Sequence, residues 1–400
     1  MLLLCTVAQV WLFGLPAPLD FFIALSILLI WLFAERVNFL LIFFSISLTS
    51  IGIFLLFNFK LETPDTIYRE HEKYYAGASY KPLVKDTIEC PYGDLLAVDP
   101  TAPKALAEPR KIYFQTDSLG FRNREELRDQ EYVLSGDSFV VASTTTQEES
   151  LPEVLSARGV SNYSIGFPGP PQAYDGRAAE LLQNHPGQYQ FAFFYYEGND
   201  FQAQSFYVQA FEDSWQTKYY KLSDSYDKFR MKTLQEDFPF LLYPYFLNSM
   251  RQRVERTLIR VSSNDVRIYT IFGKEVGFLE IQNFQALSDN IPIMHVEMTK
   301  DVVARTKCAF FIPTKFRTYA SELPEKVRDT ILWPPPAFIE LQKLYANTNV
   351  KVVDLTPPLR KAAEELGPRG EFVFWRDDTH WNGKGIAAVA TTVEECLKSD

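Results

Sequence analysis

The first 60 residues carry only four charged side chains, Asp20, Glu35, Arg36 and Lys60. These cancel, so the whole net charge of −10 falls on residues 61–400, which hold 38 basic and 48 acidic side chains. This split constrains the fold more than any motif does. Val37–Phe59 runs for 23 residues without a charge, enough to cross a bilayer with some tilt. Leu19–Ala34 is a shorter apolar run broken upstream by Pro16 and Pro18, and Leu2–Leu15 is a marginal third. Glu35-Arg36 is a short polar turn, so the flanking runs predict a tight helical hairpin, and two or three spans fit. A cleaved signal peptide fits less well, because no basic n-region opens the chain and a second run follows the first. Placing Arg36 inside puts the following body outside the cytoplasm, whereas Lys60, Arg69 and Lys73 argue for the opposite orientation. Residues 1–60 are therefore expected to be a transmembrane anchor.

The remaining 340 residues are too polar for a polytopic carrier. At 47% hydrophobic and 15% aromatic, the chain is too apolar for disorder. An acidic body also excludes a nucleic-acid partner held through the phosphate backbone. Three body cysteines, Cys90, Cys308 and Cys396, cannot all pair within one chain. Cys308 opens the apolar run Cys-Ala-Phe-Phe-Ile and reads as a packed thiol, with at most one disulfide expected.

Residues 61–130 form a Pro-punctuated lead-in that ends in Asp117-Ser-Leu-Gly-Phe-Arg122. From 131 to 400, short apolar strands alternate with helical stretches, which predicts an α/β layer fold around a parallel sheet. The strands fall at Glu131–Ser135, Gln188–Tyr196, Cys308–Ile312 and Val350–Leu355, and the helices at 148–158, 174–184, 295–307, 337–346 and 358–366. Gln188–Tyr196 is nearly apolar throughout, as a strand buried on both faces should be. Residues 201–287 are too long for a crossover and read as an inserted subdomain. A hairpin is expected in it, pairing Arg267–Phe272 with Val276–Leu279 around Gly273-Lys274.

In an open parallel sheet, ligands bind beyond the carboxyl ends of the strands. Ser135-Gly-Asp-Ser138 follows the first strand, and Glu197-Gly-Asn-Asp200 follows the second. Gly166-Phe-Pro-Gly169 lies between them, and Asp377-Asp-Thr-His380 lies near the C-terminus. Together they hold the parts of an acyl-transfer site: a hydroxyl nucleophile, Ser138; a base, His380; a carboxylate to orient it, Asp378 or Asp377; and oxyanion donors from Ser138, Gly169 and Asn199. Asp137 and Asp200 read as residues that tie down their own turns. No cofactor is called for, and a metal site of Asp377, Asp378 and His380 lacks a fourth ligand at suitable spacing.

The ordered blocks Gly-Asp-Ser (136–138), Gly-Phe-Pro-Gly (166–169), Gly-Asn-Asp (198–200) and Asp-Asp-Thr-His (377–380) resemble the SGNH/GDSL hydrolase superfamily. Asp378-Thr-His-Trp-Asn-Gly-Lys-Gly385, with Phe311-Ile-Pro-Thr-Lys315 upstream, is similar to a narrower branch that includes the alginate O-acetylation proteins. The resemblance implies a three-layer SGNH-type fold, Ser138 as nucleophile, and Gly169 and Asn199 as oxyanion donors. In the narrower branch the acid sits two residues before the histidine, which favours Asp378; in the wider superfamily it sits three before, which favours Asp377. Glu197 departs from the pattern, standing where many members have Gly.

The expected function is a membrane-anchored, extracytoplasmic serine esterase or O-acyltransferase acting on ester groups of a cell-surface glycan. The resemblance also implies a membrane-bound acyltransferase partner. The competing expectation is a non-catalytic glycan-binding or assembly component of an envelope polysaccharide export complex.

Overall fold

Strands that are apolar on both faces must be covered on both faces, and this requirement organises the body. The computed structural model describes residues 71, 74–98, 102–201, 266–279 and 299–399. The expected anchor at 1–60 lies outside the described residues, as does most of 201–287. Among the described residues, no helix is long and apolar enough to cross a membrane.

The lead-in opens with a small hairpin, Tyr75–Ala76 (β1) with Ser79–Tyr80 (β2). Lys85–Cys90 (β3) then pairs antiparallel with Arg110–Gln115 (β4), and Asp94–Val98 (α1) lies on the connection. The body continues through Tyr132–Ser135 (β5), the single turn Ser138–Val141 (α2), Leu151–Ala157 (α3), Asn162–Ser164 (β6), Gln172–Asn184 (α4) and Gln190–Tyr196 (β7). Next come the antiparallel hairpin Val266–Ile271 (β8) and Lys274–Leu279 (β9), then Lys300–Ala304 (α5), Thr306–Ile312 (β10) and Lys315–Thr318 (α6). Pro336–Leu344 (α7), Lys351–Asp354 (β11), Thr356–Leu366 (α8) and Gly383–Lys398 (α9) complete it.

Five strands form one parallel sheet in the order β11-β10-β7-β5-β6. The chain thus starts at β5, steps outward to β6, and returns across β5 to β7, β10 and β11. That reversal puts the topological switch point, where such sheets bind ligands, beyond the carboxyl ends of β5 and β7.

Alternation along the strands builds two cores. Leu134, Ala192, Phe194, Phe310 and Ile312 face one way, packed with residues of α3, α8 and α9. Val133, Phe191, Phe193, Ala309 and Phe311 face the other, packed with residues of α4 and α7. The result is a mixed α/β architecture with a parallel five-stranded sheet flanked by helices, which fits an SGNH-like fold. Each buried Phe of β7 contributes about 1.5–3 kcal/mol by leaving water, so this central strand anchors both layers.

The structure revises several expectations. The helix expected at 295–307 is confined, among the described residues, to Lys300–Ala304, and β10 begins at Thr306. The run from Thr306 pairs with both β7 and β11, and ladder bonding on two sides overrides local helical preference. Cys308 is not a packed thiol but is joined to Cys396 of α9 in a disulfide. At a sequence separation of 88, no local pattern points to that pairing. In the β8–β9 hairpin the turn is Phe272-Gly273, both with positive φ (48° and 75°), one residue earlier than Gly273-Lys274. Its Ile271, Val276 and Phe278 belong to the main core beside Phe316 and Tyr319.

Candidate active site

Ser138 stands at the first position of α2, directly beyond β5. Asp137 caps that turn, its Oδ1 accepting from Phe139 N at 2.9 Å. Gly136 leaves no room for a side chain: a Cβ there would lie 2.5 Å from Val140 Cγ2 and 3.1 Å from the Phe194 carbonyl oxygen. The turn leaves Ser138 half-buried while Asp137, Phe139 and Val140 are buried.

His380 meets it from the other end of the chain. Ser138 Oγ lies 2.7 Å from His380 Nε2, and His380 Nδ1 lies 2.7 Å from Asp378 Oδ1. Asp378 Oδ1 also accepts from the His380 backbone N–H at 3.0 Å, so one carboxylate oxygen orients both ends of the residue. With Nδ1–H donated to the carboxylate, Nε2 is left as an acceptor for the serine proton. Of the two acids, Asp378 is the one on the imidazole. Asp377 turns away, its carboxylate accepting from Gly93 N at 2.8 Å, Glu108 N at 2.8 Å and Arg110 Nη1 at 3.0 Å.

The electrostatics follow from these contacts. Burial alone would raise Asp378, but the charge and hydrogen bonds of His380, with Arg110 behind, hold its carboxyl well below the usual carboxylate range. Burial works to lower His380, yet Asp378, with Asp94 and Asp137 further off, carries it above its ordinary 6.5. Asp377 is raised by burial against the pull of Arg110.

The two remaining blocks are brought to the same turn. Phe167 N donates to the Gly136 carbonyl at 3.1 Å, which ties the 166–169 loop to the serine turn. Arg177 of α4 donates Nη2 to the carbonyls of Gly136 (3.0 Å) and Phe167 (3.2 Å), bracing both. Gly169 is half-buried on that loop. Asn199 is exposed beyond β7, its Nδ2 donating to Asp137 Oδ2 at 3.2 Å. Asp200 ties down its own turn by accepting from Tyr196 N at 2.8 Å. A hydroxyl, an imidazole and a carboxylate in hydrogen-bonded line can pass a proton from nucleophile to leaving group.

Residues 305–400 match the family model described as SGNH hydrolase-like domain, acetyltransferase AlgX. This is the branch that the motifs resemble. The match takes in Asp377, Asp378 and His380, and ends short of Ser138, Gly169 and Asn199. No curated protein and no solved structure matches the chain.

The SGNH-like motifs point to Ser138, Asp378 and His380 and omit what holds them. The largest omission is the lead-in. Its Gly93 packs so closely on the acid loop that a Cβ would lie 2.4 Å from the Asp377 carbonyl oxygen and 2.6 Å from Asp378 Cβ. Asp94 N donates to Asp378 Oδ2 at 3.1 Å, and the Asp94 carboxylate accepts from Thr379 N at 2.8 Å and from the Thr379 hydroxyl. Arg110 spans Asp377 and Asp378. Asp94, Asp378 and His380 bring three ligand-type atoms within 4.8 Å of one another, with Asp94 already hydrogen-bonded to Thr379 and Asp378 to His380.

Lys315, inside the matched span, is buried with Nζ 2.7 Å from Trp375 O, 3.1 Å from Arg376 O and 3.0 Å from Asp378 O. Burial pushes it down to about 8 against the pull of Asp94, Asp377 and Asp378. Glu197, the departure from the SGNH pattern, is buried against Arg317 at 2.6 Å and accepts from Thr314 N at 2.9 Å, joining the ends of β7 and β10. Trp381 is fully buried and donates Nε1 to the Phe139 carbonyl at 3.1 Å, so it packs the 377–380 loop onto the serine turn.

Proposed function

We propose that this chain is a serine acyl-transfer enzyme, an esterase or O-acetyltransferase acting on ester groups of a cell-surface glycan. The observation that carries the reading is the line Ser138–His380–Asp378, closed by two contacts of 2.7 Å at the sheet's switch point. Ser138 Oγ attacks the ester carbonyl as its proton passes to His380 Nε2. Asp378 holds the imidazole in the required tautomer and stabilises the imidazolium. Backbone N–H groups of Ser138 and Gly169 and the Asn199 amide receive the oxyanion. Collapse expels the alcohol, which takes the proton from Nε2, and leaves an acyl-Ser138 ester. Water or a sugar hydroxyl, deprotonated by His380, then takes the acyl group. Acetyl as the acyl group is supported by the acetyltransferase named for the matched family.

An extracytoplasmic body on a membrane anchor is part of the same proposal. It is supported by the apolar runs of residues 1–60 and by the Cys308–Cys396 disulfide, since such bonds persist in oxidising compartments. A membrane-bound acyltransferase is the partner this reading calls for as donor of the acyl group.

The test is labelling of the full chain by a fluorophosphonate probe, alongside hydrolysis of acetylated sugars and short-chain aryl esters. Labelling should map to Ser138. Ser138→Ala and His380→Ala should each lower hydrolysis by about 10⁴-fold or more, and the double variant should be no worse than either, because the groups act as one unit. Full activity in Ser138→Ala would sink the reading.

A further inference from the structure

The Arg110 guanidinium lies between two buried carboxylates that are neighbours in sequence. Its Nη1 is 3.0 Å from Asp377 Oδ1 and 2.9 Å from the Glu108 carbonyl, and its Nη2 is 2.9 Å from Asp378 Oδ2. The planar head rests 4.4 Å from the centre of the Trp375 ring. Both carboxylate side chains are 0% exposed and the Arg110 side chain 6%. Two such carboxylates side by side cannot both stay ionised without a cation between them. A planar fork can serve both at once, where an ammonium cannot. Arg110 and Asp94 N occupy Asp378 Oδ2, and Oδ1 is left to His380.

We propose that Arg110 is a positioning residue for the Asp377–His380 loop: by bridging Asp377 and Asp378 it holds Asp378 Oδ1 turned to His380, and its charge, set on the same carboxylate, holds down the proton affinity of the imidazole. The inference rests on reading Ser138–His380–Asp378 as the catalytic line. Other charges reach this cluster. Asp94 lies 3.7 Å from His380 Nδ1, and Asp137 faces it from the serine turn. Lys315 faces the carboxylate pair from α6, but its ammonium already donates to three carbonyls. Glu108 pairs with Arg376 at 2.6 Å, and Cys90 sits opposite Arg110 across β3–β4. None of these stands between the two carboxylates.

The test reads the imidazole itself. The chain has four histidines, so ring-labelled histidine in the full-length protein gives a resolvable NMR titration, with His380 assigned by His380→Gln. Asp377 could take up a proton once Arg110 is lost and mask the effect, so the comparison is made in Asp377→Asn. Adding Arg110→Met to that background should raise the His380 midpoint by about one pH unit, the low end of the effect of a nearby charge. Adding Arg110→Lys should leave it within a few tenths of a unit. An unchanged midpoint in a folded Arg110→Met/Asp377→Asn protein would overturn the proposal, because a purely structural arginine would lower Tm alone. Should that variant fail to fold, an upward shift of a full unit in folded Arg110→Lys/Asp377→Asn would overturn it, since charge would then not be what matters; an unmoved midpoint there supports it. Ester hydrolysis by Ser138→Ala is followed in parallel. If that survives, the hydrolase reading fails while the titration still decides the role of Arg110.

Discussion

Two arginines from the lead-in hold the two halves of the site, and they do so in opposite ways. Arg122 braces the Ser138 half. It is 1% exposed and meets five neutral acceptors: the carbonyls of Tyr113, Val141, Ala142 and Thr145, and the Gln147 side chain. These cap the turn that carries Ser138, where Ala142 is left-handed at φ 53°. With no carboxylate on the fork, burial pushes Arg122 down to about 10. Arg110 holds the Asp378–His380 half through carboxylates, and although burial works against its charge, Asp378 and Asp377 carry it above its ordinary value. The first arginine fixes backbone shape. The second fixes a charge distribution.

The largest effect that would sharpen this contrast is on the acid side. Asp378→Asn should lower kcat by about 10⁴-fold with the fold intact, because an amide supports the wrong imidazole tautomer. Asp377→Asn should cost about tenfold or less in the same assay. Equal losses would mean that the two acids are not distinct.

The disulfide separates the halves in another way. The Cys308–Cys396 bridge closes an 88-residue separation that contains Lys315, Asp378 and His380 but not Ser138. On the chain-entropy account, reduction should cost about 4.5 kcal/mol of stability, read as a fall in Tm under reductant. A Tm indifferent to reductant would remove the bridge from the description of this half.

Arg122→Met should come next. It strands buried carbonyls and should lower stability by about 3 kcal/mol in denaturant unfolding while leaving the pH dependence of turnover in place. A shifted pH profile in that variant would break the contrast, since it would give Arg122 an electrostatic role.

The smallest effect is that pH dependence itself. His380 is raised, so kcat/KM should climb with pH to a plateau with its midpoint above 6.5. The stability of the pair follows the same groups. The depressed Asp378 contributes above its ordinary 3.8 and loses that contribution as pH falls through its lower folded value. The raised His380 contributes below 6.5 and loses it as pH rises through its higher folded value. A midpoint below 6.5 would mean that burial, not Asp378, governs the base.

Much of this site is legible from residues alone because Ser138, Asp378 and His380 sit in short blocks. Gly136–Ser138 is such a block: the glycine admits the turn, the aspartate caps it and the serine is presented. Asp378 and His380 are another, two residues apart on one loop. The supports are not legible in the same way. Arg110 lies 268 residues from Asp378, and Asp94 lies 285 from Thr379, inside a Pro-punctuated stretch that reads as a connector. The strand Asn162–Ser164 is three residues of mixed polarity with no alternation to betray it. Helix α9 opens on Gly383 and Gly385, which disguise its start, although Ile386, Val389, Ala390 and Val393 keep a helical spacing. Cys308 looks like a core residue because it is one, and only the packing of α9 against β10 supplies Cys396.

The amino-acid sequence by itself determined the α/β rhythm of the body, the concentration of charge on residues 61–400 and the identity of the groups at the strand ends, because strand and turn chemistry act over a few residues. Tertiary structure decided which of Asp377 and Asp378 meets His380, why Glu197 is tolerated beside Asn199, and which residues hold two buried acids together. Those choices depend on side chains hundreds of residues apart entering one low-dielectric space, where a single guanidinium bridges both carboxylates while Asp378 Oδ1 alone meets His380.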